Sequence, residues 1–140
     1  MKVIIIGGVA GGMSAATRLR RLDESAEITV YEQGPHVSFA NCGLPYFVGD
    51  VIEKQSALLL QTPVALWNRF RINVQVESRV TAIDPATRTV SVLKVETGET
   101  TTDRSRATIA PRRSSSIDAV CARTIPFAVV SRTGTRPLRG

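Results

Sequence analysis

The sequence predicts an α/β fold built on one βαβ unit, and three observations predict it. Residues 3–7 form an apolar, β-branched run that ends in the glycine cluster Gly7-Gly8-Val9-Ala10-Gly11-Gly12. An amphipathic helical stretch follows the cluster. A second β-branched run then closes in Gln33-Gly34-Pro35. About thirty residues is the usual length of such a unit. The chain has 140 residues, enough for one domain with its own core, burying roughly two-thirds of its unfolded surface. Hydrophobic residues make up 43% and aromatics only 5%, which suits an aliphatic α/β core.

Each element has a local reason. Residues 3–7 read as a buried parallel strand because the apolar run is continuous rather than alternating. A helix is expected over about residues 11–22, where Ala15, Leu19 and Leu22 recur at i, i+4 and i+7 as one apolar stripe. Ser14, Arg18 and Arg21 repeat the same spacing on a different face. Ile28-Thr29-Val30-Tyr31-Glu32 is the second strand. Residues 36–49 read as a loop with a short helix starting near Cys42. Thr62-Pro63 is an N-cap followed by proline at the first helical position, opening a helix that carries Leu66, Trp67 and Phe70 as packing residues. Residues 72–76 alternate as a strand. Residues 79–83 and 89–94, joined through Asp84-Pro85-Ala86-Thr87, read as a β-hairpin, and Glu96-Thr97-Gly98-Glu99 as a further turn. Beyond about Thr102 no period is evident, and only residues 124–130 suit a strand. There is no internal repeat.

The net charge of +6 is not evenly spread. Residues 1–102 carry ten Lys/Arg and ten Asp/Glu, whereas residues 103–140 carry eight Arg and two Asp. Such a basic tail can bind nucleic acid or an acidic surface, but a solvated tail is the plainer reading. The two cysteines, Cys42 and Cys121, are far apart and give no disulfide framework and no metal-ligand spacing. No metal is expected, and a reducing, cytoplasmic setting is the default. The apolar N-terminus runs about four residues before the glycines, too short for a signal peptide or a membrane span, so no membrane partner is expected.

Two features carry chemistry. The first is the glycine turn. A dinucleotide fold needs a tight strand-to-helix turn, close backbone approach to a pyrophosphate, and a helix N-terminus aimed at the phosphates. Gly7, Gly8, Gly11 and Gly12 can supply these. Val9 stands where G-x-G-x-x-G has its middle glycine, so Gly8 or Gly11 takes over the close approach. Glu32, about twenty residues past Gly12, is placed to accept hydrogen bonds from a ribose, which favours FAD or NAD over NADP. The alternative is a purely structural glycine turn. The second feature is Cys42, within Ser38-Phe39-Ala40-Asn41-Cys42-Gly43-Leu44-Pro45-Tyr46. It reads either as an inert small hydrophobe or as a redox thiol at a helix N-terminus, where the backbone dipole favours a thiolate. Arg18 and Arg21 likewise read either as a phosphate-binding face or as a solvated one. His36, the only histidine, reads as a surface loop residue.

The stretch Gly7-Gly8-Val9-Ala10-Gly11-Gly12-Met13-Ser14-Ala15-Ala16, taken with the nine residues around Cys42, closely resembles the coenzyme A-disulfide reductase group. These are FAD- and pyridine nucleotide-dependent disulfide oxidoreductases, with NADH oxidases, NADH peroxidases and polysulfide reductases as relatives. Val9 is itself typical of the group. The resemblance runs from Met1 to about Thr100. It implies a Rossmann-like FAD/NAD(P)-binding βαβ unit with a β-hairpin, and electrons passing from NAD(P)H through FAD to a mixed disulfide between one cysteine and coenzyme A. A single Cys42, with no Cys-x4-Cys pair, fits that version. By position, the resemblance makes Cys42 the nucleophile. It puts Gly7, Gly8, Val9, Ala10, Gly11, Gly12 and Glu32 at the FAD. It places Ser38 and Asn41 around the thiol, and Ser14, Arg18 and Arg21 on coenzyme A. The implied substrate is coenzyme A disulfide or a related sulfur compound.

The chain also departs from the pattern. Members of the group are much longer, carry an inserted NADH domain, and form homodimers through a C-terminal domain that is absent here. After the hairpin they continue with a Tyr-Asp strand and an Ala-Thr-Gly or Ser-Pro-Gly turn. Here the chain reads Thr101-Thr102-Asp103-Arg104-Ser105-Arg106-Ala107-Thr108-Ile109-Ala110-Pro111. The expected organisation is therefore an N-terminal segment of an FAD-binding domain over 1–102 and an irregular, Arg/Ser-rich basic tail over 103–140. The break suggests a reading frame altered near residue 102, leaving a truncated member of the group. An inactive nucleotide-binding fragment is one alternative. A small nucleic-acid-binding protein using the tail is another, but Phe127 is the tail's one aromatic and no binding module is evident, so nucleic acid is not expected.

Overall fold

The computed structural model describes residues 1–111 and 127–130. Strand β1 (Lys2–Ile6) leads into helix α1 (Ala10–Leu22) and strand β2 (Glu27–Tyr31). The short helix α2 (Leu44–Val48) and the helix α3 (Pro63–Phe70) follow. Then come β3 (Ile72–Gln75), β4 (Ser78–Asp84), β5 (Thr89–Lys94), β6 (Thr100–Arg104), β7 (Ala107–Pro111) and β8 (Phe127–Val130).

Two sheets result. The larger has the order β3-β2-β1-β7-β8. Its first four strands are parallel, and β8 pairs antiparallel with β7. In this register Ile4 of β1 faces Thr29 of β2 and Thr108 of β7. The smaller sheet, β4-β5-β6, is an antiparallel meander whose register shifts between Val80 and Ala82.

The apolar run of β1 is explained by burial on both faces. Val3 and Ile5 pack with Ile28, Val30, Ile72 and Val74 against Met13 and Ala16 of α1 and Leu66 of α3. Ile4 and Ile6 face the other way, onto Val80, Val90 and Val92 of the meander. A strand covered on both sides has no polar face to alternate with. Thr62 caps α3 as expected, accepting from the Ala65 amide at 3.2 Å.

Three expectations change. Ala15 and Leu19 of the expected stripe do pack against the core, beside the buried Gly12, Met13 and Ala16, but Leu22 is 68% exposed. Trp67 is also exposed, with the Arg71 guanidinium 5.5 Å from its ring centre, while Phe70 does pack on the core. The boundary expected at residue 102 falls inside β6, and β7 continues the sheet, paired with β1 as far as Ile109 and with β8 to Pro111. The strand expected at 124–130 is seen as β8 over its last four residues, and the rest of that stretch lies outside the described residues. So do Cys121 and the basic stretches at 112–126 and 131–140.

Candidate functional site

The chain leaves β1 at Gly7, whose φ of +95° is open to glycine but strained for any L side chain. Gly12 then sits directly over this turn. A Cβ there would lie 1.8 Å from the Gly7 carbonyl oxygen, an impossible contact with fixed backbone. Gly12 is therefore the residue that lets α1 lie on the strand it follows. Gly8 packs closely on the end of β2 and the loop that follows it. A Cβ on Gly8 would meet Glu32 Cβ and Val37 Cγ2, each at 3.1 Å.

Val9 occupies the N-cap of α1 and offers no side-chain acceptor. The first helical bond runs from the Met13 amide to the Val9 carbonyl at 3.0 Å. The amides of Ala10, Gly11 and Gly12 therefore point out of the helix start without intrahelical acceptors. A helix of thirteen residues adds its dipole there. This arrangement suits a diphosphate.

Glu32 lies just past the end of β2 and is 8% exposed. Its Oε2 accepts from the Gly8 amide at 2.6 Å and its Oε1 from the Gly34 amide at 2.9 Å. Two backbone donors thus fix the carboxylate beside the glycine turn. A carboxylate held in this way is a hydrogen-bond acceptor of the kind that receives ribose hydroxyls in dinucleotide folds.

The loop after β2 returns to the same place. Ser38 donates its amide to the Gly8 carbonyl at 2.7 Å, and the loop's far side pairs Phe39 with Leu59. Cys42 sits three residues further on, in a 3₁₀ turn over Asn41–Gly43 that runs into α2. It is a free, exposed thiol. Asn41 is exposed and Ser38 half-buried. Ser14, Arg18 and Arg21 all lie on the exposed face of α1. His36 is exposed and stacks on Phe39, with ring centres 6.5 Å apart. The structure therefore brings Gly7, Gly8, Gly12, Glu32 and Ser38 into direct contact, and places Cys42 at the end of the loop they anchor.

The model of the pyridine nucleotide-disulphide oxidoreductase family matches residues 1–111. The chain belongs to that family. It is 42% identical over 99 residues to the coenzyme A disulfide reductase of Staphylococcus epidermidis, a match that covers 71% of this chain and 23% of the relative. Among solved structures, the reduced Bacillus anthracis CoADR-RHD superposes with a TM-score of 0.74 at 40% identity, covering 81% of this chain and 21% of that one. A NAD-dependent persulfide reductase from A. fulgidus superposes with a TM-score of 0.73 at 35% identity, covering 77% of this chain and 20% of that one. The chain thus spans about a quarter or less of the length of these oxidoreductases. Among the described residues, no helix is long and apolar enough to cross a membrane, and no group of three or more His, Cys, Asp or Glu could hold a metal ion.

Sequence reasoning missed three contributors. Gly34 supplies the second amide to Glu32. Val37, 1% exposed, packs against Gly8. Asp103 binds Lys2 Nζ at 2.5 Å and the Tyr31 hydroxyl at 2.9 Å, tying β6 to both strands that flank the glycine turn. Gly34 was the one with a visible signal, a glycine two residues after the acidic end of a strand.

Proposed function

We infer that residues 1–111 are the dinucleotide-binding and thiol-bearing part of a disulfide reductase of the coenzyme A disulfide reductase type, with FAD at the glycine turn. One observation carries the reading: the Glu32 carboxylate is held by the Gly8 and Gly34 amides beside an uncapped helix start. That is a built receptor for an adenosine ribose and its diphosphate. Bound flavin supplies two-electron transfer from a pyridine nucleotide to sulfur. The absence of a side-chain cap on α1 and the fixed Gly12 contact support the fit.

The chain's own chemistry lies at Cys42. Its thiolate attacks one sulfur of coenzyme A disulfide, forming a mixed disulfide and expelling one coenzyme A thiolate, which takes a proton. Two electrons from NAD(P)H and a second proton then cleave the mixed disulfide, restoring the Cys42 thiolate and releasing the second coenzyme A. Ser38 and Asn41 flank the thiol along the chain. Arg18 and Arg21, exposed one turn apart on α1, offer guanidiniums to the coenzyme A phosphates, with Ser14 beside them. The chain, 1–111, corresponds to the first part of such an enzyme, with the NAD(P)H site and dimer contacts belonging to the remainder. Residues 112–140 are read as outside the family pattern.

The test is the absorption spectrum of purified protein incubated with FAD and freed of excess. Bound flavin that is reduced anaerobically with dithionite and then reoxidised by coenzyme A disulfide, with reoxidation lost in Cys42→Ser, supports the reductase. Bound flavin that coenzyme A disulfide does not reoxidise supports an inactive nucleotide-binding segment. Colourless protein overturns the FAD reading.

A further inference from the structure

We propose that Ser38 is a positioning residue whose backbone couples the nucleotide turn to the loop that carries Cys42. The proposal rests on the reading of residues 7–12 as a nucleotide turn.

Gly8 is bound on both sides. Its amide donates to Glu32 Oε2 at 2.6 Å, and its carbonyl accepts from the Ser38 amide at 2.7 Å. The side of Gly8 that lacks a Cβ is filled by Glu32 Cβ and Val37 Cγ2, so these residues have no slack between them. Val37 is fully buried and immediately precedes Ser38. A shift at Gly8 therefore reaches Ser38 by two routes, one hydrogen bond and one packed contact.

Ser38 is the element with two states. Its φ is +54°, in the left-handed region that residues other than glycine rarely occupy. The short bond from its amide to the Gly8 carbonyl holds it there, with a longer one of 3.4 Å from the Leu60 amide to the Ser38 carbonyl. Without the bond to Gly8, the serine backbone relaxes to its ordinary conformations and redirects the three residues that lead to Cys42. Those residues are otherwise stiff. The Ala40 amide donates to the Leu58 carbonyl at 2.9 Å, the Asn41 amide to Phe39 at 3.0 Å, and the Gly43 amide to Ala40 at 2.9 Å. A turn at Ser38 is thus passed on to the thiol rather than absorbed on the way. A nucleotide that engages Glu32 and the turn amides fixes Gly8, favours the left-handed Ser38, and holds Cys42 in one setting. Coupling of this kind requires that both sites bias the same two-state element.

The test is the rate at which iodoacetamide alkylates Cys42, read by intact mass with peptide assignment, with and without saturating ADP. ADP fills the glycine turn but has no flavin to shield the thiol. Binding of ADP is measured separately by equilibrium dialysis. The expected result is that ADP slows alkylation by about two- to tenfold. In Ser38→Val, where a β-branched side chain opposes the left-handed backbone, ADP still binds but no longer changes the rate. Ser38→Gly, which keeps both the amide and the positive φ, retains the ADP response. ADP that binds without slowing alkylation, or a Ser38→Val protein that responds like the wild type, overturns the coupling and leaves the nucleotide reading standing. ADP that fails to bind overturns the nucleotide reading, and the coupling with it.

Discussion

The Gly8 amide and the Glu32 carboxylate meet at 2.6 Å in a buried contact that joins the turn after β1 to the end of β2. One side chain thereby serves two purposes. It satisfies the Gly8 and Gly34 amides, and in the proposed reading it offers a fixed carboxylate to a ribose. Glu32→Ala strands both amides and is expected to cost about 1–3 kcal/mol in unfolding free energy. Its ADP affinity is expected to fall about tenfold or more, since a charge-assisted acceptor is lost. Urea melts and equilibrium dialysis measure the two effects separately.

Gly12 tests the turn itself. A methyl group there would stand 1.8 Å from a backbone oxygen, so α1 must move off the sheet. Gly12→Ala is expected to destabilise the fold by roughly 3 kcal/mol or more, at the upper end of overpacking costs. The Gly43→Ala contact is different in kind. Its Cβ would crowd the end of the Leu58 side chain, at 2.5 Å, with Ile52 Cδ1 and Ala40 Cβ at ordinary contact distances of 3.5 and 4.0 Å, and the Leu58 end can turn away. A cost of about 1 kcal/mol is expected there. Thermal melts of the two variants should therefore separate clearly.

Much of this was legible because it is local. The βαβ unit, the glycine turn, the acidic strand end and the hairpin each announce themselves within a few residues. What was not legible depends on distant partners. Leu22 fits the apolar stripe of α1 by spacing, yet it is exposed while Ala15 and Leu19 of the same stripe pack against the core. Strand β6 reads Thr-Thr-Thr-Asp-Arg because it is the exposed edge of the meander, and an edge strand has little apolar alternation to reveal it. Asp103 looks like the start of a polar tail. Its partners, Lys2 and Tyr31, lie 101 and 72 residues away in sequence.

Asp103 also sets a pH dependence. Burial pushes its carboxyl up, but the hydrogen bonds from Lys2 and Tyr31 and the Lys2 charge outweigh this and hold it below the usual carboxylate range. A carboxyl lowered on folding contributes stability that is present above its unfolded value, about pH 4, and is lost as the pH falls through its lower folded value. Lys2 is raised, first by its hydrogen bond to Asp103, so its share is present below its ordinary value of 10.5 and is lost at more alkaline pH. Asp103→Asn is expected to lower stability at pH 7 by about 1 kcal/mol, discounted for partial exposure. It should also flatten the loss of stability between pH 5 and pH 2. Urea midpoints across that range check both.

Arg20 holds the ends of two helices. Its guanidinium donates to the carbonyls of Phe70 at 2.8 Å and Arg71 at 2.9 Å, and also to Glu24 and Asp23. Arg20→Lys keeps the charge but cannot span these acceptors. A loss of about 1–2 kcal/mol is expected, with Arg20→Ala costing more. Native-state hydrogen exchange of α3 should show the change at its C-terminal end.

The central claim is that this glycine turn, with Glu32 beside it, is a flavin adenine dinucleotide site. The most direct measurement is a titration of the purified protein with FAD, followed by flavin fluorescence and repeated with ADP as competitor and in Gly12→Ala and Glu32→Ala. The account predicts saturable binding that ADP displaces and that both substitutions weaken. Binding that is absent, or that ADP and both substitutions leave unchanged, would contradict it.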